Sequence, residues 1–224
     1  MYLLQKHIGK LVFGLIFIYL NLAGSCTPCS VWQNLQAANQ SFVNDPAYAQ
    51  ARAQLVGGQN PLTIVLSCSD SRVPPELVFN QGLGQLFVAR VAGNVVDDVV
   101  VDSIEYAVGH FDSVLILVMG HTHCGAVIGA LNRLRQNGGN IVMPGGHLDA
   151  VLIPIEKAIK QAGIDIYAPN ALELSINANI QYQANQLVMQ SKVIQNALTN
   201  GILNIVGVLY SLETGVATQL FVIP

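Results

Sequence analysis

The residue pattern predicts one α/β domain on a mainly parallel β-sheet, flanked by helices and ending in an antiparallel strand. Two apolar runs, residues 62–67 and 114–120, are short, rich in branched aliphatics and bounded by Gly, Pro or Ser. Strands buried on both faces of a parallel sheet read this way. Helical spacing separates and follows them, with Val100, Ile104, Ala107 and Val108 as the clearest case. The chain closes on residues 202–210 and 216–222 around Glu213-Thr214-Gly215, a hairpin signal.

Taken in order, residues 30–55 are rich in Ala and Gln and read as helix, broken at Asp45-Pro46 because a residue before proline avoids the α region. A turn over 57–61 leads into the first strand. Pro74-Pro75 forces a turning path, and Pro75 suits the first position of a short helix. Residues 85–91 read as a second strand and 97–110 as a helix whose N-terminus is favoured by Asp97 and Asp98. A helix over 125–136 follows the third strand, then a Gly-rich loop over 137–147. Residues 149–162 and 171–190 read as helices, and Ser191 caps another that ends at Asn200-Gly201.

The N-terminus has the form of an export signal: Lys6 and Lys10, then an uncharged apolar stretch over 11–20, then Ala23-Gly24-Ser25. Residues 1–25 are therefore expected to be a signal peptide, with 26–224 as one domain carrying an N-terminal helical arm. An uncleaved single-span anchor is the competing reading, although the span over 11–24 is short beside the ~20 apolar residues a membrane helix needs. The expected location is the periplasm of a Gram-negative source. Ala23-Gly24-Ser25-Cys26 loosely resembles a lipobox, with Ala where Leu is usual, so Cys26 would either carry lipid and anchor the protein or pair with Cys29.

Charge narrows the function classes. The net charge is −3, only 10% of residues are charged, and no basic run or stripe exists to meet a phosphate backbone. Nucleic acid is thus excluded as a partner. Low charge and 20 glycines favour extensive buried surface and oligomerisation.

Cys68-Ser69-Asp70-Ser71-Arg72 ends the first apolar run and His121-Thr122-His123-Cys124-Gly125 the second. Taken singly, either cysteine reads as a buried structural thiol. Together, two Cys and one His at neighbouring strand ends suit tetrahedral Zn²⁺ with a fourth position open, the arrangement of catalytic zinc. Water in that position would lose a proton near neutral pH. Asp70 is either a fourth ligand or a hydrogen-bond acceptor for that water, and Arg72 can hold it off the metal through a bidentate fork. His123 competes with His121 as ligand on spacing alone, while His110 and His147 read as structural.

At these residues the chain resembles the β-class carbonic anhydrases. The motifs at 68–73 and 120–126 look like the family's two signatures in order and separation, and the resemblance continues through Phe87-Val88-Ala89-Arg90, Asn94, Ile104-Glu105-Tyr106-Ala107 and residues 207–215. It implies Cys68, His121 and Cys124 as ligands of one zinc per chain, with Asp70 and Arg72 as a catalytic dyad in which Asp70 binds zinc in a closed state. It further implies Gln59 and the Gly125 N–H as substrate-binding groups, with Phe87 and Tyr106 lining a CO₂ pocket partly contributed across a dimer interface. Gln59 points to the plant-like subtype. The implied activity is reversible hydration of CO₂ to bicarbonate and a proton by zinc-bound hydroxide, in a homodimer or homotetramer whose N-terminal helix embraces a partner. The alternatives are a carbonyl sulfide or carbon disulfide hydrolase on the same scaffold, or a zinc- or bicarbonate-binding protein without catalysis.

Overall fold

The computed structural model describes residues 28–142 and 145–224. The expected signal, its alternative as an anchor, and Cys26 lie outside the described residues. Among those described, no helix is long and apolar enough to cross a membrane.

The chain forms two compact units, one ending at Ala49 and one running from Gln50 to Pro224. In the first, helix α1 (Pro28–Asn44) buries none of its residues and leaves Trp32 and Leu35 exposed. It stops where expected: Asp45 precedes Pro46, its carboxylate accepts the Ala47 N–H, and α2 (Pro46–Leu55) begins. Phe42 and Tyr48 pack across that break with ring centroids 4.7 Å apart.

The second unit is built on a five-stranded sheet in the order β2-β1-β3-β4-β5. Its strands are β1 (Thr63–Cys68), β2 (Leu86–Val91), β3 (Leu115–His121), β4 (Asn204–Tyr210) and β5 (Ala217–Ile223). The first four are parallel and β5 pairs antiparallel with β4, as the hairpin signal required. At Gly207 the sheet leaves room only for a hydrogen, because the Phe221 ring lies over it from the opposite strand.

Burial follows sheet position. Central β1 is buried from Ile64 to Cys68, whereas edge strand β2 is half-buried throughout and β5 is mostly exposed. The helices are α3 (Pro75–Val78), α4 (Asp98–His110), α5 (Gly125–Gln136), α6 (Asp149–Gln161), α7 (Ala171–Gln190) and α8 (Lys192–Thr199). The expected cap forms at α8, where Ser191 accepts the Ile194 N–H, and Asp97, expected as the first residue of α4, instead caps it by accepting the Val100 N–H. The sequence pattern missed a single 3₁₀ turn, Ala92–Asn94, directly after β2.

The strand order reverses between β1 and β3. In open α/β sheets, the crevice at such a switch point, beyond the strands' carboxyl ends, is where ligands bind. Cys68 is the last residue of β1 and His121 the last of β3.

Candidate metal centre

Cys68, His121 and Cys124 converge at that switch point. One donor atom from each lies within 4.8 Å of the other two, and all three residues are buried. Tetrahedral zinc with ordinary bond lengths holds such donors about 3.5–4 Å apart, so small adjustments close the site. β1 delivers Cys68, β3 delivers His121, and a two-residue turn brings Cys124 to the N-terminus of α5.

The imidazole is oriented for a metal. His121 Nδ1 donates to the Thr122 carbonyl at 2.9 Å, which leaves the lone pair on Nε2. That Nε2 is buried with no hydrogen-bond partner, a costly state that a cation between it and two sulfurs would relieve. The donors and their order therefore fit zinc.

The sulfurs divide one charge between them. The Cys124 thiol donates to Cys68 and, against the cost of burial, draws the Cys68 pKa down to about 4; His121 and the Gly93 N–H act in the same direction. Cys124 moves the opposite way, its thiol pushed up by that shared proton and by burial. Burial opposes a proton on His121, but the adjoining Cys68 sulfur outweighs it and raises the pKa. The protons are thus drawn towards Cys124 and His121, and the thiolate rests on Cys68.

Asp70 stands at its mouth. Arg72 Nε and a terminal nitrogen donate to the two carboxylate oxygens at 2.9 and 2.7 Å, and the Arg72 backbone N–H adds a third bond at 3.0 Å. The side-chain bond from Arg72 holds Asp70 well below the usual carboxylate range. Asp70 Oδ2 still lies 3.9 Å from His121 Nε2.

The competing histidines part here. His121 joins the cluster, while His123 is exposed, adopts φ 54° and pairs with Glu213 at 2.7 Å. His110 donates from Nδ1 to the Tyr106 carbonyl and stacks on the Tyr106 ring at 4.3 Å. His147 lies in an exposed loop.

The remaining expected residues do not all gather at this end. Gly125 does: it opens α5, and nothing lies within 4 Å of the position a side chain would occupy. Gln59 lies before β1, next to Asn60, which exchanges two hydrogen bonds with Asp112 at the amino end of the sheet. A six-residue strand is roughly 16 Å long, so Gln59 and Cys68 occupy opposite ends of β1. Phe87 pairs with Ile64, four residues or about 13 Å along β2 from Val91, the partner of Cys68. Tyr106 follows Phe87, with ring centroids 6.4 Å apart.

Sequence reasoning missed two supports. Arg90 donates to the carbonyls of Cys68 and Asp70 at 3.0 and 2.6 Å, tying the dyad's loop to β2. Gly93 donates its N–H to the Cys68 sulfur at 3.3 Å. Only glycine fits there: φ is +67°, and a Cβ would meet Ile155 at 2.7 Å and Ala126 at 3.0 Å. A Gly-Asn pair one residue beyond a strand was the available signal.

Residues 63–217 match the carbonic anhydrase family. The chain is 35% identical over 193 residues to carbonic anhydrase 2 of Mycobacterium tuberculosis, covering 84% of this chain and 90% of that one. It is 34% identical over 196 residues to a carbonic anhydrase of Mycolicibacterium smegmatis, with 84% and 91% covered. Among solved structures, a tetrameric β-carbonic anhydrase from Sordaria macrospora superimposes with a TM-score of 0.71 at 25% identity, covering 85% of this chain and 96% of that one. The Coccomyxa β-carbonic anhydrase bound to acetazolamide gives 0.68 at 25% identity, covering 86% and 85%. With the family match running from the first residue of β1 to the first residue of β5, this chain belongs to the β-class carbonic anhydrases.

Proposed function

We propose that the protein catalyses reversible hydration of CO₂ to bicarbonate and a proton, with one zinc ion per chain held by Cys68, His121 and Cys124. The observation that carries this reading is the buried, unpartnered Nε2 of His121, set among two sulfurs and beside a carboxylate already engaged by arginine. Zinc supplies the Lewis-acid charge that makes water a nucleophile near neutral pH.

The chain's own groups orient the reactants. Asp70, kept anionic by Arg72, accepts a hydrogen bond from the attacking water and aims its lone pair at CO₂. Arg72 holds Asp70 off the metal. The Gly125 N–H, at the positive end of α5, donates to the developing bicarbonate. Gln59, Phe87 and Tyr106 complete the CO₂ pocket from a second copy, because in one chain they occupy the other end of the sheet.

Assembly as a homodimer or tetramer is part of the same reading, supported by the apolar residues exposed on α1 and by the tetrameric relative from Sordaria macrospora. We also propose that the N-terminal segment directs export to the periplasm, with Cys26 either lipidated or paired with Cys29.

Stopped-flow CO₂ hydration across pH 6.5 to 9, with zinc quantified on the same sample, tests the function. Fast hydration at one zinc per chain, rising with a pKa near that of zinc-bound water, is the expected result. Full zinc with no hydration at any pH overturns it, and turnover of carbonyl sulfide or carbon disulfide would then identify the hydrolase alternative.

A further inference from the structure

Helix α7 reaches the Cys68 sulfur through a buried chain of hydrogen bonds. Asn179 Nδ2 donates to the Gly93 carbonyl at 2.8 Å, across 86 residues of sequence. Gln183 Nε2 donates to Asn179 Oδ1 at 2.9 Å, and Gln183 Oε1 accepts the Val96 N–H at 2.8 Å. Asn179 is 1% exposed and Gln183 is fully buried. Burying two amides is costly unless their polar atoms are met, and three of their bonds are made among themselves and to segment 93–96.

The two amides are one helical turn apart, so they present one face to that segment and grip it at both ends. The gripped segment carries the Gly93 N–H that donates to the Cys68 sulfur at 3.3 Å. Its crowded left-handed conformation has no slack: Ile155 and Ala126 block one side. A peptide unit held at its carbonyl oxygen by Asn179, and at the following segment by Gln183, keeps its neighbouring N–H aimed at the sulfur.

We propose that Asn179 and Gln183 are positioning residues for the metal centre, fixing the Gly93 N–H on the Cys68 thiolate and thereby setting that ligand's electron donation and hold on zinc. This rests on Cys68 being a zinc ligand. The relay acts on the sulfur's lone pairs: a donated N–H stabilises them, and its loss raises their energy.

The test uses Asn179→Leu and Gln183→Met, which keep shape and remove the amide bonds without adding charge. Leu187→Ala, on the same helix and fully buried, serves as the packing control. Each protein is loaded with Co²⁺ for the sulfur-to-metal charge-transfer band and with Zn²⁺ for competition against a chromophoric chelator. Asn179→Leu should shift the band to longer wavelength and weaken zinc binding about 10-fold, the lower end for partners of metal ligands. Gln183→Met, one bond further away, should do the same to a smaller degree and remains informative if Asn179→Leu does not fold. Leu187→Ala should melt earlier with its band unmoved. A band and zinc affinity unchanged in Asn179→Leu or Gln183→Met, with only the melting temperature lowered, overturns the relay alone. If the unsubstituted protein shows no thiolate band, or Cys68→Ser leaves the band intact, the Cys68 ligand reading fails and the relay fails with it.

Discussion

Asp70 Oδ2 lies 3.9 Å from His121 Nε2, yet Arg72 engages both oxygens of Asp70. The carboxylate therefore stands beside the donor cluster without belonging to it. A bidentate pair with an arginine is directional as well as charged, so both Asp70 oxygens are held in place beside the cluster.

Asp70→Asn should consequently separate binding from turnover. The three donors are untouched, so zinc should remain at one per chain by elemental analysis. CO₂ hydration should fall about 100-fold or more, the scale of losing one oriented hydrogen bond at a reacting oxygen. Near-normal hydration would remove the dyad from the mechanism.

The separation of Gln59 from Cys68 along β1 leads to a complementation experiment. Chains carrying Cys68→Ser lack a metal ligand, and chains carrying Gln59→Ala lack an exposed residue at the far end. Unfolded together and reassembled in equal amounts, they should regain about a quarter of the wild-type sites if each site draws on two chains related by a two-fold axis. A site built within one chain would gain nothing from mixing.

Behind the site, Arg133 on α5 donates to both oxygens of Glu156 on α6 at 2.6 and 3.0 Å, and to Asp149 at 2.6 Å. Glu156 is fully buried. Arg133→Ala would strand that carboxylate in the core, and should destabilise the fold by about 3–5 kcal/mol in denaturant unfolding. Arg133→Ala together with Glu156→Leu should recover much of that loss, since no buried charge remains.

Asp149 also gives the fold an acid limb. The N–H groups of Gly145 and Gly146, followed by Arg133, hold its carboxyl below the ordinary range. A group depressed on folding stabilises the native state above its unfolded pKa, about 3.9 for Asp, and that contribution fades as pH falls through the folded value. The difference in unfolding midpoint between the wild type and Asp149→Asn should therefore be flat from about pH 8 to 5 and close below about pH 4. A difference that grew on acidification would contradict this arrangement.

Much of the architecture was legible because it is written in local periods. Helices α5 and α7 begin and end where the pattern predicts, and Ser191 caps α8 through the Ile194 N–H. Strand boundaries moved by one or two residues; β3 runs on to His121 because the sheet continues pairing, with His121 opposite Tyr210. Local sequence carries no mark of where a neighbouring strand stops. The 3₁₀ turn at Ala92–Asn94 has no periodicity to announce it at all.

By itself, the sequence determined the donor types and their delivery to strand ends, since a short apolar run followed by Cys or His leaves little choice of where that side chain emerges. Spacing alone left His121 and His123 open and the resemblance favoured His121; the tertiary structure supplies the physical reason, since φ 54° at His123 accompanies a side chain paired with Glu213. The tertiary structure alone put Gln59, Phe87 and Tyr106 at the other end of the sheet, a matter of register and strand length. It alone buried Asn179 and Gln183 against Gly93 and Val96, when polar residues within a helix are ordinarily expected to face solvent. Hydrogen bonds spanning nearly ninety residues depend on which helix crosses which loop, and no local pattern of residues encodes that crossing.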